Sequence, residues 1–224
     1  MIRLVVFDLD GTLYDADDYF RSAFRVLARF LAPRLNDSPM SIEKRLWTVR
    51  RKKGSTYKRL FNDVLAGYGV GDVKLVGQLV KRFHAAPIRG MRPYPDALVA
   101  VKKLVGKRRL GVVTHGNGKR QARKLRELGL TRYFDFVISA KDEGLGKADP
   151  RVYRKLLSKG YGAGDIIYVG DNPKTDFAGC RKIGIRTVRL LRGEFAAEKA
   201  GRRREADFRI RDFPGLLRVL DRLE

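Results

Sequence analysis

Short β-favouring runs at residues 2–7, 110–113, 136–138, 166–169 and 185–188 are separated by helical patterns, and this alternation constrains the chain most. Strands that are apolar throughout need cover on both faces, which points to a parallel α/β sheet with crossover helices. Helical patterns at residues 95–105, 119–128, 150–157 and 173–183 fit those crossovers, and three of them begin with Pro, whose missing N–H costs little in a first turn. A weaker strand at 208–210 and a helix over 214–223 complete the unit. Between residues 15 and 88 the pattern changes: amphipathic stretches at 18–31, 41–53, 57–68 and 73–83 follow one another with no strand between them. This predicts a helical insertion after the first strand, dividing the chain into 1–14 with 89–224 and 15–88.

The 224 residues are 44% hydrophobic and 33% charged, which excludes an intrinsically disordered chain and leaves ample material for a core. One cysteine, Cys180, and two histidines rule out an intramolecular disulfide and a Cys/His zinc cluster. Cys180, inside an apolar helical pattern, reads as a small buried hydrophobe, and His84 as a structural histidine. Residues 2–7 are too short to span a membrane and are followed by Asp8 and Asp10 rather than a cleavage signal, so a cytoplasmic protein without a membrane partner is expected. Forty-nine Lys and Arg against 25 Asp and Glu give a net charge of +24, which makes nucleic acid, an anionic surface or a phosphorylated ligand the partners to weigh.

The chemistry gathers at strand ends. Asp8-Leu9-Asp10-Gly11-Thr12 stands where the first strand stops, and in an open parallel sheet ligands bind outside the carboxyl ends of the strands. On a regular strand the two carboxylates share a face about 7 Å apart, near enough to share a cation. Asp-Gly is equally a turn signal, with the second Asp as a helix cap. Val113 leads into Thr114-His115-Gly116-Asn117, a hydroxyl beside backbone that glycine opens towards an anion. A loop after Ile138 carries Gly146-Lys147-Ala148-Asp149-Pro150, and Val169 leads into Gly170-Asp171-Asn172-Pro173-Lys174-Thr175-Asp176. No Gly-x-Gly-x-x-Gly or Gly-Lys-Ser/Thr string is present, so neither a dinucleotide site nor a P-loop is supported.

These four motifs, in this order, resemble the haloacid dehalogenase superfamily of aspartate-nucleophile phosphohydrolases, and the resemblance covers essentially the whole chain. It implies a doubly wound parallel sheet and a smaller all-helical cap inserted after the first motif, as in phosphoglycolate-phosphatase-like members. It also implies Mg²⁺ held by Asp8, the backbone carbonyl of Asp10 and Asp171, and a phosphorylated small molecule as substrate. By the same resemblance Asp8 is the nucleophile and Asp10 the general acid and base. Thr114, His115, Gly116 and Lys147 surround the phosphoryl group, and Asp176 positions Lys147 or the metal's surroundings. The dehalogenating branch lacks a carboxylate at the place of Asp10, so Asp10 favours phosphoryl transfer.

Two positions depart from the commoner wording of the family: His115 stands where many relatives have Asn, and Ala148 where Pro often follows the lysine. His115 either brings a titratable cation to the phosphate or only hydrogen-bonds its loop. Within the insertion, Tyr19, Phe20, Arg50 and Lys53, with Tyr14 just before it, either face the substrate or pack the cap. The resulting expectation is a Mg²⁺-dependent phosphatase, monomeric or dimeric. The alternatives are a phosphomutase and a non-catalytic nucleic-acid-binding protein that uses the basic surface.

Overall fold

A computed structural model describes residues 1–88 and 90–224. It separates into two compact units, one made of Met1–Ala16 with Met91–Glu224 and the other of Asp17–Gly90.

The first unit is built on six parallel strands: β1 (Leu4–Phe7), β2 (Arg109–Thr114), β3 (Phe136–Ser139), β4 (Ile166–Gly170), β5 (Arg186–Leu190) and β6 (Phe208–Ile210). Their spatial order is β3-β2-β1-β4-β5-β6. The order reverses between β1 and β4, and at such a point the loops leaving two neighbouring strands diverge and open a crevice. Side chains of β1 alternate between two covered faces. Leu4 and Val6 pack with Tyr168 against Val152, Tyr153 and Leu156 of α7 (Pro150–Leu157) and Cys180 of α8 (Ala178–Arg181). On the other side, the Phe7 ring stacks at 6.3 Å on that of Phe213, the first residue of α9 (Phe213–Asp221). The sheet is therefore wound on both faces.

The second unit contains α1 (Ala16–Leu35, whose first residue belongs to the other unit), α2 (Pro39–Lys53), α3 (Leu60–Ala66) and α4 (Val73–Ala85). Phe24, Leu27, Ala28 and Leu31 recur at helical spacing on α1 and bury their face against Ile42, Leu46, Val64, Leu75 and Leu79. Helix α1 continues past Leu31 through Pro33, because a proline one turn from a helix end removes only one late hydrogen bond. Asn36, at φ 47°, then ends it in the left-handed region that Asn tolerates better than most side chains. Ser38 caps α2, accepting from the Ser41 N–H at 3.1 Å, with Pro39 in the first turn.

Some expected elements are shorter than their patterns: the stretch over 57–68 gives α3 alone, and the run over 2–7 gives β1 from Leu4. The helix predicted over 173–183 is reduced to α8, because residues 172–176 instead wrap around the Asp176 carboxylate, which accepts the Asn172 N–H at 3.1 Å. Helices α5 (Pro95–Leu104) and α6 (Gly118–Glu127) follow their patterns to within a few residues. Among the described residues, no helix is long and apolar enough to cross a membrane.

Candidate active site

The four motifs converge at the carboxyl ends of β1, β2 and β4. Directly after β1, the Asp8 N–H donates to the Val169 carbonyl at 2.8 Å, so this residue is fixed beside the β4 end by the sheet's own hydrogen bonding. Lys147, on the loop between β3 and α7, reaches Asp8 Oδ1 at 2.8 Å and Asp176 Oδ1 at 2.6 Å. Asp176 has little capacity left: its Oδ1 also accepts the Thr175 hydroxyl at 2.9 Å, and its Oδ2 takes the Asn172 N–H. Gly179 of α8 lets this arrangement close, since a Cβ there would sit 2.6 Å from the Lys147 carbonyl.

Asp171 lies opposite. Its Oδ1 accepts the Thr12 hydroxyl at 3.3 Å, and Gly11, at φ +80°, runs so close that a Cβ would meet Asp171 Oδ2 at 2.5 Å. Only glycine combines that backbone conformation with that approach. Asp8, Asp171 and Asp176 are all buried, with a carboxylate oxygen from each lying within 4.8 Å of the others.

Electrostatics reflect this crowding. Burial pushes the Asp8 carboxyl up to about 7, against the opposing pull of Lys147 and with added repulsion from Asp176 and Asp10. Burial likewise drives Asp171 well above the carboxylate range, reinforced by Asp176 and Asp8. Burial alone would lower Lys147, but attraction to Asp176 and Asp8 outweighs it and holds the lysine above its ordinary value. Three buried acids facing one lysine can all ionise only where further positive charge is supplied, which a divalent cation would do. All-oxygen donors suit Mg²⁺, so these residues fit the metal that the resemblance implied.

Asp10 has a different environment. Its side chain keeps 35% of its surface accessible, while Lys124 of α6, itself buried, pairs with Oδ1. The Tyr14 hydroxyl donates to the same oxygen, and Gln121 Nε2 donates to Oδ2 at 2.7 Å. Burial opposes ionisation here too, but the Lys124 charge, with hydrogen bonds from Lys124, Tyr14 and Gln121, brings the carboxyl down to about 2. The two carboxylates of Asp8-Leu9-Asp10 thus each have a lysine partner of their own.

Thr114, the last residue of β2, is buried and accepts a second hydrogen bond from Gln121 Nε2 at 2.6 Å. Gly116 leaves room for that amide, because a Cβ there would come within 2.7 Å of it. His115 stands exposed on the same loop. Asp8, Lys147, Asp171 and Asp176 form one contact cluster, and Asp10 and Thr114 are joined through Gln121. Tyr14, read from sequence as facing the substrate or packing, bonds Asp10, whereas Gln121 and Lys124 are site residues that the sequence reading does not single out. The signal available was the i, i+3 spacing of Gln121 and Lys124 on the face of a helix that also carries Leu125 and Leu128.

In the helical unit, Tyr19, Phe20 and Arg50 have packing roles. The Tyr19 hydroxyl donates to the Phe83 carbonyl at 2.7 Å, and buried Arg50 lies 4.5 Å over the Phe20 ring while pairing with Asp17 at 3.1 Å. Exposed Lys53 lies 5.6 Å from the centre of the Tyr57 ring.

Comparison with known proteins agrees with the geometry. The family model for haloacid dehalogenase-like hydrolases matches residues 2–184. A glyceraldehyde 3-phosphate phosphatase from Methanocaldococcus jannaschii is 31% identical over 203 residues, covering 87% of each chain. Another from Pyrococcus furiosus is 28% identical, covering 99% of this chain and 94% of its own. Among solved structures, a 2-haloacid dehalogenase from Pseudomonas syringae pv. Tomato DC3000 superposes with a TM-score of 0.67 at 30% identity over the whole of both chains. The chain belongs to the haloacid dehalogenase-like hydrolase family. Within that family it is an enzyme of the phosphohydrolase kind, as its phosphatase relatives indicate.

Proposed function

We propose that the chain is a Mg²⁺-dependent phosphatase acting on a small phosphate monoester through an aspartyl-phosphate on Asp8. A short phosphorylated aldehyde, glyceraldehyde 3-phosphate, is the first substrate to test, because relatives matched over most of this chain bear that name. The observation that carries the reading is the buried set Asp8, Lys147, Asp171 and Asp176 at the β1 and β4 ends, with a partly accessible second carboxylate, Asp10, beside it.

Phosphate monoesters hydrolyse extremely slowly unaided, and a carboxylate nucleophile divides the difficult step in two. Asp8 attacks phosphorus, the ester P–O bond breaks, and Asp10, ionised in the free enzyme, takes up a proton from the substrate monoanion as it binds and passes that proton to the departing alkoxide. Asp10 then takes a proton from the water that attacks the same phosphorus, which releases inorganic phosphate and regenerates Asp8. Lys147 and the Thr114 hydroxyl hold the non-bridging oxygens, where charge-matched donors act best in a site shielded from water. Asp176 keeps Lys147 aimed at Asp8. Bound Mg²⁺, held by Asp8, Asp171 and the Asp10 carbonyl, would offset the repulsion between carboxylate and phosphate dianion. The alternative chemistry, displacement of halide, needs no acid at the place of Asp10, so this carboxylate argues against it. In the same reading, residues 15–88 are the cap that selects among substrates, and residues 1–14 with 89–224 are the catalytic core.

The test measures inorganic phosphate released from glyceraldehyde 3-phosphate, phosphoserine and a pyrimidine nucleoside 5′-monophosphate, with Mg²⁺ or chelator, by wild type and Asp8→Asn. The expected result is metal-dependent release that Asp8→Asn abolishes. Release unaffected by Asp8→Asn, transfer of phosphate to a second hydroxyl in place of release, or halide release from 2-chloropropionate would each overturn the reading.

A further inference from the structure

Helix α6 presents two polar side chains, one turn apart, on a face that is otherwise buried. Gln121 is fully buried and Lys124 nearly so, beside Leu125 and Leu128, while Lys119, Arg123 and Arg126 take the exposed side. Burying an ammonium and a primary amide costs several kcal/mol unless their partners are well placed. Both are directed at one carboxylate: Lys124 pairs with Asp10 Oδ1, and Gln121 Nε2 reaches Asp10 Oδ2 at 2.7 Å.

The Gln121 amide is more constrained still. Its Nε2 also lies 2.6 Å from Thr114 Oγ1, so its two hydrogens are divided between the carboxylate and the hydroxyl. An ionised carboxylate only accepts, which fixes the nitrogen on this side and leaves the oxygen Oε1 buried with no hydrogen-bond partner among the described residues. An orphaned buried carbonyl is a cost that packing alone does not require. What the site obtains is orientation. Thr114 Oγ1 accepts from Gln121, so its own O–H is turned away from the amide and remains available to a phosphoryl oxygen.

We infer that Gln121 and Lys124 are positioning residues that lock the Asp10 carboxylate and the Thr114 hydroxyl into one rigid unit, setting the acid/base group and the phosphoryl-binding donor relative to each other. This rests on the phosphatase reading above. Without these two partners the Asp10 carboxylate keeps its side-chain torsions, with the Tyr14 hydroxyl on Oδ1 as its remaining described tie. Pinned through both oxygens, it holds the proton it passes on in one fixed line to the leaving oxygen, and misplacement by about 1 Å is enough to cost on the order of a hundredfold in rate.

The decisive measurement is kcat/KM for a series of aryl and alkyl phosphates of rising leaving-group pKa, in Lys124→Met, Gln121→Met, Asp8→Asn and wild type, with thermal melting of each. kcat/KM reports the step in which the leaving group departs, and an alkoxide needs its proton more than a nitrophenolate does. Both Met variants are expected to lose about 100-fold on alkyl phosphates and less than about 10-fold on 4-nitrophenyl phosphate, within the range of general acid catalysis. Gln121→Met should also weaken inhibition by inorganic phosphate, because the Thr114 proton is no longer directed. Equal losses across the series, or none, while Asp8→Asn is inactive, overturn the positioning role and leave the phosphatase reading standing. Turnover that persists in Asp8→Asn overturns both.

Discussion

At the scale of the residue, the site is a problem in charge disposal. Lys147 holds two buried carboxylates, Asp8 at 2.8 Å and Asp176 at 2.6 Å, and its own side chain is 4% exposed. Removing the cation strands both acids in a region where solvent cannot compensate, and breaking buried pairs of this kind costs about 3–5 kcal/mol. Lys147→Met should therefore lose roughly that much unfolding free energy in metal-free buffer, measured by urea denaturation. The double variant Asp8→Asn with Lys147→Met should recover part of it, because residues sharing one network are not additive. Equal losses in the single and double variants would show that the pair is not coupled. The Asp8, Asp10, Lys147, Asp171 and Asp176 strings could be read from sequence because each follows a strand that announces itself. Lys124 could not: in a helix rich in Lys and Arg its place beside Leu125 and Leu128 is the one mark of burial, and only the fold turns that face towards Asp10.

At the scale of the element, the strands were legible because parallel strands buried on both faces are apolar throughout, and the crossover helices because proline and the N-cap residues punctuate them. The segment 173–183 was not, since its apolar spacing is helical while hydrogen bonds to Asp176 decide its backbone. A long-range tie was equally hidden. Asp96, in the first turn of α5, takes both Arg192 terminal nitrogens at 2.9 and 2.7 Å and the Phe213 N–H at 3.1 Å, joining α5, the chain after β5 and the start of α9. The Arg192 hydrogen bonds hold the Asp96 carboxyl below its ordinary value of 3.8, helped by the Phe213 N–H and against partial burial. The unfolded chain then takes up this proton at higher pH than the folded one. The bridge accordingly contributes fully above about pH 4 and is lost as the pH falls through the folded value. Asp96→Asn should cost about 1–2 kcal/mol at pH 7, and wild type and variant should converge in strong acid. A penalty unchanged at the lowest pH at which both still fold would rule out the linkage.

For the whole molecule, the dominant quantity is net charge, +24 on 224 residues, and composition alone could not say whether it serves a partner or a substrate. Its placement is dispersed: Lys44, Arg45, Arg51, Lys52 and Lys53 lie exposed on α2, Lys119, Arg123 and Arg126 on α6, and Arg202, Arg203 and Arg204 before β6. A field of that sign raises the local concentration of a phosphate dianion and speeds its encounter, and salt removes the effect as the screening length falls from about 30 Å at 0.01 M to about 3 Å at 1 M. A steered enzyme should show kcat/KM falling by about tenfold between 0.01 and 0.5 M KCl while kcat changes less than about twofold, because the bound site is shielded and the approach is not. The same titration on Asp8→Asn, read as binding of duplex DNA, separates the other use of the charge. Tight, salt-sensitive binding with a flat kcat/KM would mean that the basic surface serves a polyanionic partner. A steep kcat/KM with only weak DNA binding would mean that the surface serves the catalytic site, gathering its own substrate.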